Sequence, residues 1–234
     1  MLAIHKELGA LDSSALSVMS WNVLKGKRKG WHEDLASLSA QSDVVLLQEA
    51  MLNNEFYGHL GDNLQWHTTE GYRRFNRVSG VLTAAKVGSL SKQSLKKIEP
   101  YLRTPKAALI TEYTLTGCAQ TLLVANIHAL NFTWGVFHFY QQLSDIFNVL
   151  AAHEGPVVLA GDFNVWRGKR FQLLRELAQH AHLIETDFEH DIRKAAFSYR
   201  LDHIFYRGLR KRESRVHKVV TSDHNPITAI FSLD

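Results

Sequence analysis

Short apolar runs rich in β-branched and aliphatic residues, each stopped by polar residues or glycine, recur along the chain at 16–23, 43–47, 121–127, 156–160 and 215–220. Runs of that length and composition predict buried strands. Residues 201–206 read as a further strand, and helices are predicted over roughly 31–40, 136–152 and 168–180. In the second helix Val136, Tyr140, Leu143, Phe147 and Leu150 recur at alternating spacings of four and three, which makes one apolar stripe suited to packing on a sheet. Phe137 and Tyr140 are accordingly expected in the core. Phe132 and Trp134, in the loop before the helix, are free to stack on a base or dip into a lipid surface. Residues 1–15 lack strand periodicity and read as a short N-terminal extension, followed by a single domain over 16–234 without repeats or linkers.

The polar residues that end these runs carry the chemistry. Asn22, Glu49, His128, Asp162 and Asp223 stand at or just beyond the C-terminal ends of the predicted strands. One such carboxylate says little, because strands commonly end in groups that face water. A set recurring at the same edge matches the place where sheet proteins gather binding groups. Asp162 and Asn164 are two apart and would share a face if the strand continued. Residues 201–206, a turn at 207–213 and the next strand read as a hairpin, whose open ends would place Asp202 beside Asp223 and His224. A carboxylate beside a histidine fixes its tautomer and favours its charged form, so Asp202 is the candidate orienter of His224.

The order Asn22, Gln48-Glu49, His128, Gly161-Asp162-Phe163-Asn164, Asp202 and Ser222-Asp223-His224 resembles the endonuclease/exonuclease/phosphatase superfamily of metal phosphoesterases. The resemblance runs from about Val18 to about Phe231, and Asn126-Ile127-His128 with Gly161-Asp162-Phe163-Asn164-Val165-Trp166 looks most like a little-characterised bacterial branch. It implies an α/β fold, a four-layer α/β/β/α sandwich of two mixed β-sheets flanked by helices. It also implies Mg²⁺, with Mn²⁺ as the substitute, on Glu49, with Asn22 supporting metal and phosphate and Asp223 as a further acidic residue nearby. Asp162 resembles the aspartate that positions or deprotonates the attacking water, Asn164 the amide on the phosphate, and His224 the histidine paired with Asp202. His128 would protonate the leaving oxygen or add a donor. Apurinic endonucleases carry tyrosine at that position and aspartate where this chain has Leu24, which leans away from an abasic-site enzyme. No glutamate stands near Val78-Ser79-Gly80-Val81 to pair with His128.

The residue types agree with that chemistry on their own terms. Mg²⁺ takes oxygen ligands, keeps several waters and needs only one or two protein carboxylates beside a substrate phosphate. Zinc would need a denser set; despite 13 histidines there is no His-Glu-x-x-His, and Cys118 stands alone. The net charge of +4 gains meaning from position. Lys25, Lys27, Arg28 and Lys29 follow Asn22, and Arg167, Lys169 and Arg170 follow Asn164. Both clusters are expected to flank the pocket and attract polyanions, with Lys27 and Arg170 as substrate contacts. Arg207, Arg210, Lys211 and Arg212 would lie at the closed end of the hairpin, ~20 Å away at strand rise, and count as outlying.

At 234 residues and 45% hydrophobic content the chain suits one domain with a sizeable core. A single cysteine rules out an internal disulfide and suits a reducing compartment. With no signal-like start and no apolar run near ~20 residues, a cytoplasmic location is expected. The reading is a Mg²⁺-dependent phosphoesterase acting on nucleic-acid phosphodiester bonds. The alternatives are a lipid, inositol or small-molecule phosphoesterase, and a non-catalytic nucleic-acid-binding module. Against the last, an inactive scaffold has no physical need for the whole polar set.

Overall fold

The apolar runs become strands whose C-terminal ends converge. The computed structural model describes residues 9–99, 105–133 and 135–233. The first half of the chain forms β1 (Leu16–Asn22), α1 (Trp31–Ala40), β2 (Val44–Met51), α2 (Asn54–Tyr57), β3 (Gln65–Arg74), β4 (Arg77–Ala85), β5 (Ser91–Ile98) and β6 (Pro105–Tyr113). The second forms β7 (Leu122–His128), α3 (Phe137–Ala152), β8 (Val157–Asp162), α4 (Gly168–His180), β9 (Ile184–Glu185), β10 (Ala195–Ala196), β11 (Tyr199–Arg200), β12 (Asp202–Arg207), β13 (Arg210–Val216) and β14 (Ile227–Ser232).

Two six-stranded mixed sheets, ordered β13-β14-β1-β2-β4-β3 and β5-β6-β7-β8-β12-β9, pack face to face. Leu16, Val18, Val44 and Leu46 of the first sheet meet Leu122, Val124, Val158 and Ala160 of the second. The outer face of the first sheet buries Met19, Trp21, Val45 and Leu47 under Leu35 of α1 and Phe56 of α2. Ala125, Ile127, Val157 and Leu159 do the same under α3 and α4. The result is the four-layer α/β/β/α sandwich. Strands β1, β2, β7 and β8 are covered on both faces, which is why they read as continuous apolar runs rather than alternating ones. Among the described residues no helix is long and apolar enough to cross a membrane.

Three expectations are corrected. Strands β12 and β13 do not form a hairpin: β12 pairs with β8 and β9, whereas β13 pairs with β14 in the other sheet. The buried first four residues of β12, Asp202 to Phe205, suit a strand covered on both faces, while the charged run Arg210-Lys211-Arg212-Glu213 suits an exposed edge. Residues 217–220 lie beyond β13 and carry no strand. The buried face of α3 runs through Phe139, Leu143, Ile146, Phe147 and Leu150. Phe137 and Tyr140 fall on its outer side and are exposed, against the expectation of core packing. Of the expected extension, residues 1–8 lie outside the described residues, as does Trp134. Leu11 is buried and bridges to Leu115, so the chain is already docked at that point.

Candidate active site

Register alone lines up half the site. His128 ends β7 opposite Asp162, which ends β8, and Asp162 in turn faces Asp202 at the start of β12. Residues opposite one another on neighbouring strands share a face, so these three side chains form one row at the sheet edge. Gly161 makes the close approach possible: at φ 147° a Cβ there would come 2.0 Å from the Ile127 carbonyl oxygen. The first sheet brings Asn22 and Gln48 level across β1 and β2. Between the sheets Gln48 donates to Asn126 Oδ1 at 2.8 Å, and Asn126 donates to the Leu82 carbonyl, a buried polar pin under the site.

Asp162 is the hub. Its Oδ2 accepts from Asn22 Nδ2 at 3.0 Å and its Oδ1 from the Asn164 backbone N–H at 3.0 Å. Burial raises it to about 6, the nearby Asp202 charge adding to the rise and His224 opposing it. His224 donates through Nδ1 to Asp202 Oδ2 at 2.7 Å and points Nε2 at Asp162 Oδ2, 4.0 Å away. Burial alone would lower it, but the charge and hydrogen bond of Asp202 outweigh that and raise it to about 10. Asp202 therefore sits where the orienter was expected, brought there by packing of the two sheets. The loop carrying His224 is tied to β1 by Ser222 Oγ on the Asn22 carbonyl and by the Trp21 indole on the His224 carbonyl.

His128 Nε2 lies 3.6 Å from Asp162 Oδ2 and 4.0 Å from Glu49 Oε1. Its hydrogen-bond partner is Lys106, whose Nζ is 2.6 Å from Nε2. Burial and then the Lys106 charge push His128 well below the usual histidine range, and burial lowers Lys106 as well. Both influences on His128 favour the neutral form of the imidazole, whose Nε2 is paired with Lys106 Nζ. Lys106 went unseen in the sequence because β6 carries no motif and contributes it only through its pairing with β7. Glu99 is a second such residue: its Oε1 accepts from the backbone N–H groups of Asn131 and Phe132 and fixes the loop after His128.

Glu49 leaves the ladder at a break between Leu47 and Ala50, with φ 53°. A non-glycine residue in that region is held there by its surroundings and often marks a functional position. Its Oε2 pairs with Lys25 Nζ at 3.1 Å. The other expected ligands are placed differently. Asn22 uses both ends of its amide, accepting from the Leu24 N–H and donating to Asp162. Asp223 pairs with Lys194 at 3.6 Å and has one buried oxygen without a partner. It lies beside His224 rather than at Glu49. Among the described residues no three His, Cys, Asp or Glu side chains gather as a metal cage. One carboxylate in a polar, oxygen-bearing floor suits a hard divalent ion with water and phosphate completing the shell.

Asn164 and Arg170 are the clearest departures. The chain turns left-handed at Asn164, φ 51°, so strand geometry does not persist and its Nδ2 donates to the Ala129 carbonyl at 3.0 Å. Arg170 is fully buried: Nη1 donates to the carbonyls of Leu130 and Asn164 at 2.8 and 2.9 Å, and Nη2 to Thr133 Oγ1 at 2.7 Å. Burial lowers it to about 10. It staples two loops and cannot meet substrate, because no part of it reaches solvent. Arg170→Met is expected to destabilise the fold by ~3 kcal/mol, since it removes three buried hydrogen bonds at ~1 kcal/mol each; urea unfolding reads this, and a change under ~1 kcal/mol would contradict the staple.

A cleft of ≈ 1250 Å³ opens over Glu49, Lys106 and His128. Lys25 and Lys27 line it, but none of Arg167, Lys169 and Arg170 does. Arg28 instead donates to the carbonyls of Val220 and Ser222, and Arg167 lies over the Trp166 ring. The opposite wall is the β3–β4 hairpin, with Tyr72, Arg74 and Arg77.

Fold and floor together define an α/β/β/α sandwich with a polar site at one end of the sheet pair. The model of the Endonuclease/Exonuclease/phosphatase family matches residues 19–224, and the chain belongs to that family, whose members are generally hydrolytic phosphoesterases. A UPF0294 protein of Vibrio vulnificus (strain CMCP6) is 36% identical over 225 residues, spanning 95% of this chain and 78% of that protein. The human Nocturnin catalytic domain with bound sulfate superposes with a TM-score of 0.72 at 17% identity, over 97% of this chain and 96% of that one. A mannosyl-6-phosphatase of Bacteroides thetaiotaomicron VPI-5482 gives 0.69 at 14% identity, over 93% and 100%. Both structures share the fold.

Proposed function

We propose that the protein is a divalent-metal-dependent phosphoesterase whose substrates are nucleic-acid phosphodiesters. The observation that carries this reading is the facing pair Asp162 and His224, a carboxylate raised to about 6 beside an imidazolium raised to about 10. A base tuned towards neutrality next to a fixed cation suits water activation against a phosphate. Glu49 would hold the Mg²⁺ or Mn²⁺ ion, which when bound offsets phosphate charge and acidifies a water.

In this reading Asp162, oriented by Asn22 and Asn164, aligns a water for in-line attack and takes its proton. His224 stays charged through Asp202 and donates to a phosphate oxygen. Lys106, held by neutral His128, supplies a second cation and a proton for the leaving oxygen. The cleft supports a polymeric substrate, because its cations extend beyond the floor to Lys27, Arg74 and Arg77. A cytoplasmic setting belongs to the same reading, supported by the unpaired Cys118.

The test is a substrate panel with bis(p-nitrophenyl) phosphate, single- and double-stranded oligonucleotides, phosphoinositide vesicles and sugar phosphates. Mg²⁺-supported cleavage of the diesters is expected, abolished by excess EDTA and restored by Mg²⁺ or Mn²⁺. Undiminished turnover in chelator would sink the metal, and turnover of sugar phosphates alone would sink the nucleic-acid substrate.

A further inference from the structure

We propose that the tip of the β3–β4 hairpin is a nucleobase-stacking platform, with Phe75 flanked by Arg74 and Arg77, which receives an unpaired nucleic-acid segment entering the site. This rests on the phosphodiesterase reading and adds to it the strandedness of the substrate.

The hairpin closes through a two-residue loop, Phe75-Asn76, between the paired Arg74 and Arg77. Phe75 has φ 51°, whereas Asn76 does not take a positive φ. Positive φ at the first loop residue alone is the arrangement that glycine ordinarily fills, and a bulky side chain there is a backbone outlier. The same ring is 86% exposed. Phe75 is therefore unfavourable twice over, strained in its backbone and apolar in water, and nothing in the folding of the hairpin requires it. Strain of this kind concentrates where a ligand is gripped.

Its surroundings specify the ligand. Phe75 lines the cleft that also holds Glu49 and His128, and half-exposed Phe132 lines it too. The Arg74 guanidinium lies 5.5 Å from the centre of the Phe75 ring, and Lys25, the partner of Glu49, lies 5.7 Å from that of Tyr72. Aromatic faces interleaved with cations are how proteins hold single strands, stacking each base while compensating each phosphate. The cleft carries Lys25, Lys27, Arg74, Arg77 and Lys106 against Glu49, Glu55 and Glu99. A duplex keeps its base faces stacked inside and would leave Phe75 without a partner. A membrane is the weaker fit, because the ring faces into a concave, charged cleft.

Binding is read by fluorescence anisotropy with a labelled 12-nucleotide single strand and its blunt duplex, on the Asp162→Asn background with Mg²⁺ so that strands stay intact. Phe75→Gly is expected to raise the melting temperature, by relieving strain, and to weaken single-strand binding about tenfold; Phe75→Trp should retain it. Unchanged single-strand affinity in Phe75→Gly, an equal loss with the duplex, or a loss seen only with anionic vesicles would each overturn the platform. So would failure of the parent to bind the single strand. Hydrolysis of bis(p-nitrophenyl) phosphate by the unaltered protein tests the catalytic reading separately, so the two can fail independently.

Discussion

Replacing Asp162 by asparagine is expected to lower kcat by ~10²–10⁴-fold, the range that a positioned general base contributes, with the fold intact. Asparagine has the shape of aspartate but cannot take a proton from water. Two hydrogen bonds fix the native carboxylate, one to each oxygen: Asn22 Nδ2 on Oδ2 and the Asn164 N–H on Oδ1. Asparagine offers a single acceptor oxygen, so one of these bonds is lost, at a cost of ~1 kcal/mol. The variant also removes a charge that burial and Asp202 already disfavour, which offsets part of that cost. Melting temperature should therefore move little while turnover collapses. Single-turnover cleavage of an oligonucleotide and a thermal melt on the same preparation check both halves. A melt that collapses along with activity would mean that Asp162 holds the end of β8 in place and does no chemistry.

The fold was legible in the chain to the extent that burial on two faces writes itself as an unbroken apolar run. Strands β1, β2, β7 and β8 could be read from pattern alone for that reason, as could the spans of α1, α3 and α4. Partnership between strands is not written that way. Residues 201–206 and the segment after them are neighbours in sequence, yet one is a central strand and the other a charged edge in a different sheet. Asp202 met His224 regardless, because the packing of the sheets sets that contact. Arginine shows the same limit at the level of one side chain. Arg170 and Lys169 are indistinguishable in a charge count, but the guanidinium satisfies three buried acceptors and the lysine remains in solvent. Strand-end residues with obvious chemistry were found, while Lys106, on a strand without a motif, and Glu99, just past the end of β5, were not.

Lys106 carries the second large expectation, which concerns the leaving group. A general acid at that oxygen must hold a proton at neutral pH, and neutral His128 has its Nε2 engaged by the Lys106 ammonium 2.6 Å away. That proton is expected on Lys106, which lies in the cleft beside Glu49 and close enough to Asp162 for their charges to interact. Lys106→Met keeps the length and apolar stem of the side chain and deletes only the charge and the proton. It is expected to lower kcat by ~10²-fold or more on an oligonucleotide, whose alkoxide leaving group needs a proton. On bis(p-nitrophenyl) phosphate, whose phenolate leaves unaided, the loss should be only a few-fold, reflecting the missing cation. His128→Gln should give the same pattern in weaker form, because it loosens the lysine without removing it. Equal losses on both substrates would assign Lys106 to phosphate binding instead. No loss on either would leave its short contact with His128 as a purely structural pair, and the leaving oxygen would have to draw its proton from solvent.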